Sequence, residues 1–174
     1  MTLRRHWLML GLFGALMPLA VLQAAAQSVL LDVKGEVRQP LSLSRADLLT
    51  LKRRDYMEQR TVTQDGKEAQ LTIRYQGIPL KELLDRAGLK PGSRDIRRAI
   101  VLLTAQDGYQ TSFSWGELYN SALGDGVIVV LRQANDELLD TDGLPGLRSL
   151  QDMRSGPRHV RWLSSIEVQL PSPH

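Results

Sequence analysis

The sequence predicts an α+β domain, a mixed β-sheet carrying short helices. Three features predict it. Runs of strand length alternate apolar and polar residues at several places, the helical stripes are short, and no strand–helix alternation persists to build an all-parallel sheet. Taken in order, Val29, Leu31 and Val33 alternate with Leu30, Asp32 and Lys34, a first strand stopping at Gly35. Ser44 then caps a helix over Arg45 to Leu51, with Asp47 three residues on and Leu43 and Leu48 spaced as a hydrophobic staple. Lys52 to Gln70 reads as polar and irregular, with a turn at Asp65-Gly66 between strands.

The clearest stretch is LTIRYQGIPLKELLDRAGL, Leu71 to Leu89. Leu71, Ile73 and Tyr75 share one face of a strand, which Gln76-Gly77 breaks. Pro79 suits a first helical turn, where a missing N–H costs nothing. Leu80, Leu83, Leu84 and Ala87 form one apolar stripe, with Lys81, Glu82, Asp85 and Arg86 on the wet face and Glu82 and Arg86 at i,i+4. Gly88 caps the helix, Leu89 folds back on the stripe, and Pro91 prevents continuation. The continuous apolar run Ala99 to Ala105 predicts a strand at the sheet centre. Asp107-Gly108 turns the chain into a hairpin partner, Tyr109 to Phe113, and Phe113-Ser114-x-x-Glu117-Leu118 repeats the staple and capping box. Val127 to Arg132 is a further buried strand, Gln133 to Gly146 a surface loop, and Val160 to Leu163 and Ile166 to Leu170 the closing strands.

With 43% hydrophobic and 24% charged residues, 174 residues suit one globular domain, here residues 27–170. Residues 1–26 read as a signal peptide: Arg4-Arg5, an apolar run from Trp7 to Leu22, and the small-residue cleavage site Ala24-Ala25-Ala26. The run contains Pro18 and falls short of the ~20 residues of a spanning helix, so removal is expected, with an uncleaved anchor as the alternative. Residues 171–174, Pro-Ser-Pro-His, read as a disordered tail. Lys and Arg number 22 and Asp and Glu 19, and losing Arg4 and Arg5 leaves a net charge of +1. Neither nucleic acid nor acidic lipid is the implied partner. The chain has no cysteine, which excludes thiolate metal sites and thiol nucleophiles. Arg4-Arg5-His6-Trp7-Leu8 partly matches a twin-arginine leader, but its short basic segment and Leu-rich core favour ordinary unfolded export.

In their order, GEVRQPLSLSRADLLTL, YQGIPLKELLDRAGL, DGYQTSFSWGEL and LRSLQDMRSGPRHVRWLSSIEV resemble the oxidoreductase molybdopterin-binding domain family, the sulfite-oxidase fold, over most of residues 29–169. The resemblance implies a mixed sheet with short helices and a molybdopterin site. In catalytic members a cysteine before the "GIPL" strand binds molybdenum. The matching stretch here, roughly Met57 to Arg74, offers Thr61, Thr63 and Asp65 but no thiol, and hard oxygen donors replace a soft one poorly.

The resemblance implies Arg158, His159, Arg161, Asp107 and Tyr109 as cofactor-binding positions. Arg forks match phosphate geometry, and Asp107-Gly108-Tyr109 matches a family turn near the site mouth. On a strand, His159 and Arg161 share one face while Arg158, Val160 and Trp162 share the other, so the bland reading is an exposed basic edge strand. Trp115 and Tyr119 at i,i+4 read as core. Asp136, Asp140 and Asp142 fail the EF-hand spacing and read as a solvated loop. Gly124-Asp125-Gly126 is no dinucleotide loop, no G-x-S-x-G elbow exists, and Arg53-Arg54 and Arg97-Arg98 read as solvated surface.

The combined expectation is a periplasmic or secreted binding or interaction module with no catalytic or metal-ligating residue assigned. It leans away from an enzyme and serves a protein partner or a small-molecule ligand. Molybdopterin is the one cofactor left open. The alternative is an active molybdopterin-dependent oxidoreductase with an unusual metal ligand.

Overall fold

A computed structural model of the chain describes residues 28–64, 66–88, 94–134, 139, 142–154 and 156–171. The expected leader, Asp65, Leu89, Pro91, Asp136, Asp140 and the last three residues lie outside them. The strands are β1 (Val29–Gly35), β2 (Leu41–Ser44), β3 (Arg54–Gln64), β4 (Lys67–Pro79), β5 (Ile100–Ala105), β6 (Gln110–Ser114), β7 (Val127–Gln133), β8 (Gly146–Ser149) and β9 (Leu163–Gln169). The helices are α1 (Arg45–Thr50), α2 (Leu80–Ala87) and α3 (Trp115–Tyr119).

Two sheets form rather than one. The order β2-β1-β9-β5-β6 is mixed, since β1 runs parallel to β9 while the other pairs are antiparallel. The order β3-β4-β7-β8 is antiparallel throughout. The fold class is therefore the expected α+β, but β9 occupies the centre of the mixed sheet and not the run from Ala99. That run alternates exposed and buried positions, with Val101, Leu103 and Ala105 facing in.

The main core gathers Leu31, Val33, Leu103, Phe113 and Ile166 of the mixed sheet with Val127, Val129 and Leu131 of β7. Helix α2 packs against β1, β4 and β7, burying Leu80, Leu83, Leu84 and Ala87 as the stripe predicts. Burial of each large side chain there is worth roughly 1.5–3 kcal/mol. Ser44 and Ser114 both close capping boxes, with Asp47 and Glu117. Alternate residues of β7, Ile128 and Val130, join Tyr75 in a second, smaller cluster on the far face of the antiparallel sheet.

Several expectations change. The polar stretch from Lys52 is not irregular. It forms an eleven-pair hairpin from Arg54↔Gly77 to Gln64↔Lys67, whose distal half leaves the body, so Leu71 is 46% exposed while Tyr75 is 2%. Gln76-Gly77 does not end β4 but shifts its register against β7. A Cβ at Gly77 would sit 2.6 Å from the Val129 carbonyl oxygen, so only glycine lets the strands approach there. Pro79 consequently ends the strand as the residue before α2, and Glu82 pairs with Arg54 of β3. Arg53 donates to the Leu49 and Leu51 carbonyls, so the Arg53-Arg54 pair is not simply solvated. Gly124 lies in a 3-10 turn against the Leu118 backbone, a packing role. Finally, Val160 to Trp162 forms no strand and Leu163 instead opens β9, and that difference decides the site.

Candidate functional site

The segment from Asp152 to Trp162 is held at two points. Val160 is fully buried and forms an isolated bridge with Leu147 of β8, its N–H 3.1 Å from the Leu147 oxygen and the return bond 2.8 Å. Trp162 adopts φ 48°, a left-handed backbone uncommon for a bulky residue. Its N–H donates to Gly143 at 2.7 Å and its carbonyl accepts from Gln106 at 2.9 Å. The chain therefore crosses between β8 and the β5–β6 turn as an irregular ribbon. An exposed basic edge strand does not exist here.

Arg158 turns inward to a closed cluster. Its Nε donates to Asp152 Oδ2 at 2.9 Å, its Nη2 to Asp152 Oδ1, and its Nη1 to Glu117 Oε1 at 2.8 Å. The guanidinium lies 4.4 Å from the centre of the buried Phe113 ring. Burial works against the Asp152 carboxylate, but the Arg158 bonds outweigh it and hold its pKa below the ordinary range. Each nitrogen of the fork already holds a carboxylate oxygen.

His159 turns the other way, into a cluster that the sequence reading does not contain. Glu58, 7% exposed, accepts from Tyr75 Oη at 2.8 Å and pairs with Arg60 Nη2 at 2.8 Å. Arg60 Nη2 also reaches Tyr75 Oη at 3.3 Å and His159 Nδ1 at 3.2 Å. Arg148 lies 5.8 Å from the centre of the Tyr75 ring and donates to the Leu147 carbonyl at 2.8 Å. Burial first, then the Arg148 and Arg60 charges, push the His159 pKa down to about 4, so the ring is neutral at pH 7. A guanidinium can only donate, so Nδ1 is the bare nitrogen and Nε2 carries the proton. That Nε2–H is buried with no acceptor. Burial pushes the Glu58 carboxyl up, but the Arg60 and Tyr75 bonds reverse this and leave it ionised.

Above this cluster, Asp107, Tyr109, Gly156, His159, Arg161 and Trp162 line a cavity of ≈ 380 Å³. Four of the five expected positions thus meet around one space, and Arg158 is the exception. Asp107 Oδ1 accepts from the Tyr109 N–H at 3.0 Å, an Asx turn, and Tyr109 Oη donates to the Pro157 carbonyl at 2.6 Å. Arg161 pairs with Asp142 at 2.7 Å and stacks 4.4 Å from the Trp162 ring centre. Trp162 shares the cavity with His159 and Arg161 because its left-handed turn cancels strand alternation. Trp115 and Tyr119 stack at 5.1 Å against the core, as expected.

Glu58, Arg60, Tyr75 and Arg148 are the residues that sequence reasoning misses. The signal exists: Tyr56, Glu58, Arg60 and Val62 alternate along one strand face, two ionisable groups between two apolar ones. Reading Lys52–Gln70 as irregular hides it.

The family model described as "oxidoreductase molybdopterin binding domain" matches residues 18–172. Among solved structures, the sulfane dehydrogenase SoxCD from Paracoccus pantotrophus is similar with TM-score 0.60 and 20% identity, over 82% of this chain. The chain spans only 38% of that protein's chain, so the likeness is one of fold. No curated protein matches.

The residues present do not fit a thiolate-held molybdenum centre. No sulfur donor of that kind exists in the 174 residues. Thr61, in the matching stretch, is exposed and its hydroxyl accepts from Gln70 at 2.9 Å, while Thr63 is exposed. Among the described residues no three His, Cys, Asp or Glu side chains gather as metal ligands. A pterin phosphate fits no better at Arg158, whose fork is closed. Among the described residues lining the cavity the one cation, Arg161, faces Asp142 and shares the space with Asp107.

Proposed function

We propose that this chain, which belongs to the oxidoreductase molybdopterin-binding domain family, is an exported binding or interaction module without molybdenum catalysis. The observation that carries the reading is the missing sulfur donor, since a soft, high-valent metal held beside a dithiolene has no matching ligand among these residues. The closed Arg158 fork supports it, because a phosphate would have to displace Asp152 and Glu117. The basic and apolar leader supports delivery to the periplasm by unfolded export. Function then rests on the cavity at His159, Arg161 and Trp162, which offers an aromatic wall, one cation and a neutral imidazole to a small molecule or a protein segment.

Elemental analysis of protein purified from its own host tests this. Molybdenum far below one atom per chain is expected, and a stoichiometric amount would overturn the reading.

One observation favours a second reading, a working oxidoreductase with an unusual ligand. The family model covers residues 18–172, and Asp107, Tyr109, His159 and Arg161, four of the five expected cofactor positions, meet at one cavity. That reading requires export of a folded, loaded protein. Replacing Arg4 and Arg5 by lysine together would then abolish export, whereas unaffected export removes its support.

A further inference from the structure

The outer edge of β3 is the longest open strand edge among the described residues. Its eleven residues pair with β4 in an unbroken register on one side and with no strand on the other. The other terminal strands are short: β2 and β8 have four residues and β6 five, and Val160 bridges to β8. A long edge invites pairing unless it is blunted, and β3 carries neither proline nor bulge. What it carries is a pair of inward charges, Glu58 and Arg60.

Those charges act as a register key. When two copies of one strand pair antiparallel about a two-fold axis normal to the sheet, opposed residues have the same parity and their numbers share one sum. Centred on Gln59, the midpoint of β3, full overlap sets Glu58 opposite Arg60 of the second copy, twice over. It also sets Tyr56 opposite Val62 and Met57 opposite Thr61, with Gln59 facing its own copy. Opposite charges and aromatic–β-branched pairs are the favourable cross-strand partners. Moving the centre by one residue in either direction opposes Glu58 to Glu58 or Arg60 to Arg60, which cross-strand pairing disfavours. The same residues therefore reject the neighbouring registers and accept the centred one. Met57, 71% exposed on the outer face, gains a neighbour in the process.

We propose that the protein forms a two-fold dimer by antiparallel pairing of β3 with β3 of a second copy, centred on Gln59. The two antiparallel sheets then join into one continuous sheet, and each copy keeps its own cavity. The dimer is independent of any ligand in that cavity.

The cysteine-free chain gives a direct test, because any thiol introduced is the only one present. Under mild oxidation Gln59→Cys should link to itself, since opposed residues fall within disulfide range. Met57→Cys alone should not link, while Met57→Cys mixed with Thr61→Cys should. Self-linking of Met57→Cys, or no linking of Gln59→Cys, overturns the register. In sedimentation equilibrium the unaltered protein should run as a dimer. Gln59→Lys, which sets two ammonium groups together on the axis, should run as a monomer with an unchanged circular-dichroism spectrum. A monomer at every concentration before substitution, or a dimer that Gln59→Lys leaves intact, overturns the proposal.

Discussion

Arg158 and His159 are consecutive residues whose side chains enter two unlike environments. On the Arg158 side one guanidinium meets two carboxylates, Asp152 and Glu117, and all three of its nitrogens donate to carboxylate oxygens. On the His159 side Glu58 pairs with Arg60, Arg148 lies over the Tyr75 ring with no carboxylate partner among the described residues, and the imidazole keeps a buried N–H without an acceptor. The first cluster is saturated and serves to lock α3 to the crossing ribbon. The second carries surplus positive charge and an unmet donor, and it borders the cavity. A buried polar group left unmatched is costly, so such groups concentrate where a fold gives up stability for something else. Five substitutions sharpen the comparison.

The largest effect belongs to Glu58→Gln, which removes the carboxylate from between Arg60 and Tyr75. Breaking a buried pair by taking one partner costs about 3 kcal/mol or more. Urea unfolding should show a loss of that order, and a loss below that of Arg158→Ala would invert the ranking of the two clusters. Arg158→Ala should cost about 2 kcal/mol, the range for a hydrogen bond to a charged group left unmade on the largely buried Asp152. Arg158→Lys should recover little of it, because an ammonium cannot span both carboxylates.

The pH dependence sharpens the comparison further. The folded protein holds His159 neutral down to about 4, while the unfolded chain takes up a proton below its ordinary value of 6.5. The unfolded state therefore binds more protons across that interval, and stability falls as pH drops from 6.5 towards 4. Glu58 and Asp152, with pKa values held low, lose their contribution only below their ordinary values of 4.5 and 3.8. His159→Asn should flatten the unfolding midpoint between pH 6.5 and 4.5, and an unchanged slope would contradict the neutral, buried imidazole. The smallest effect is that of Arg161→Ala. Its pair with Asp142 is solvent-exposed on both sides, so the cost should stay under about 0.5 kcal/mol by the same urea assay.

Much of this arrangement is legible in the sequence, and the limits are physical. Leu80, Leu83, Leu84 and Ala87 declare α2 because a 3.6-residue stripe leaves one solution, and Ser44 and Ser114 declare helix starts because their caps are local. The Asp107 turn is equally local. The hairpin β3–β4 escapes because its distal residues are exposed on both faces, so alternation fades where the arm leaves the core. The ribbon at Val160–Trp162 escapes for another reason. Its residues have strand-like chemistry, and only the distant anchors Leu147, Gly143 and Gln106 impose the left-handed turn that brings Trp162 beside His159. The closed fork of Arg158 depends on Asp152 and on Glu117, which lies 41 residues away. No spacing rule reveals such a partner.

Both arginines expected at a pterin phosphate are already paired with the protein's own carboxylates, Arg161 at the cavity with Asp142 and Arg158 beside it with Asp152 and Glu117. Oxidative release of pterin from protein isolated from its own host, read by fluorescence against a known molybdopterin protein, measures this most directly. The account predicts a signal at background. One equivalent of pterin per chain would contradict it.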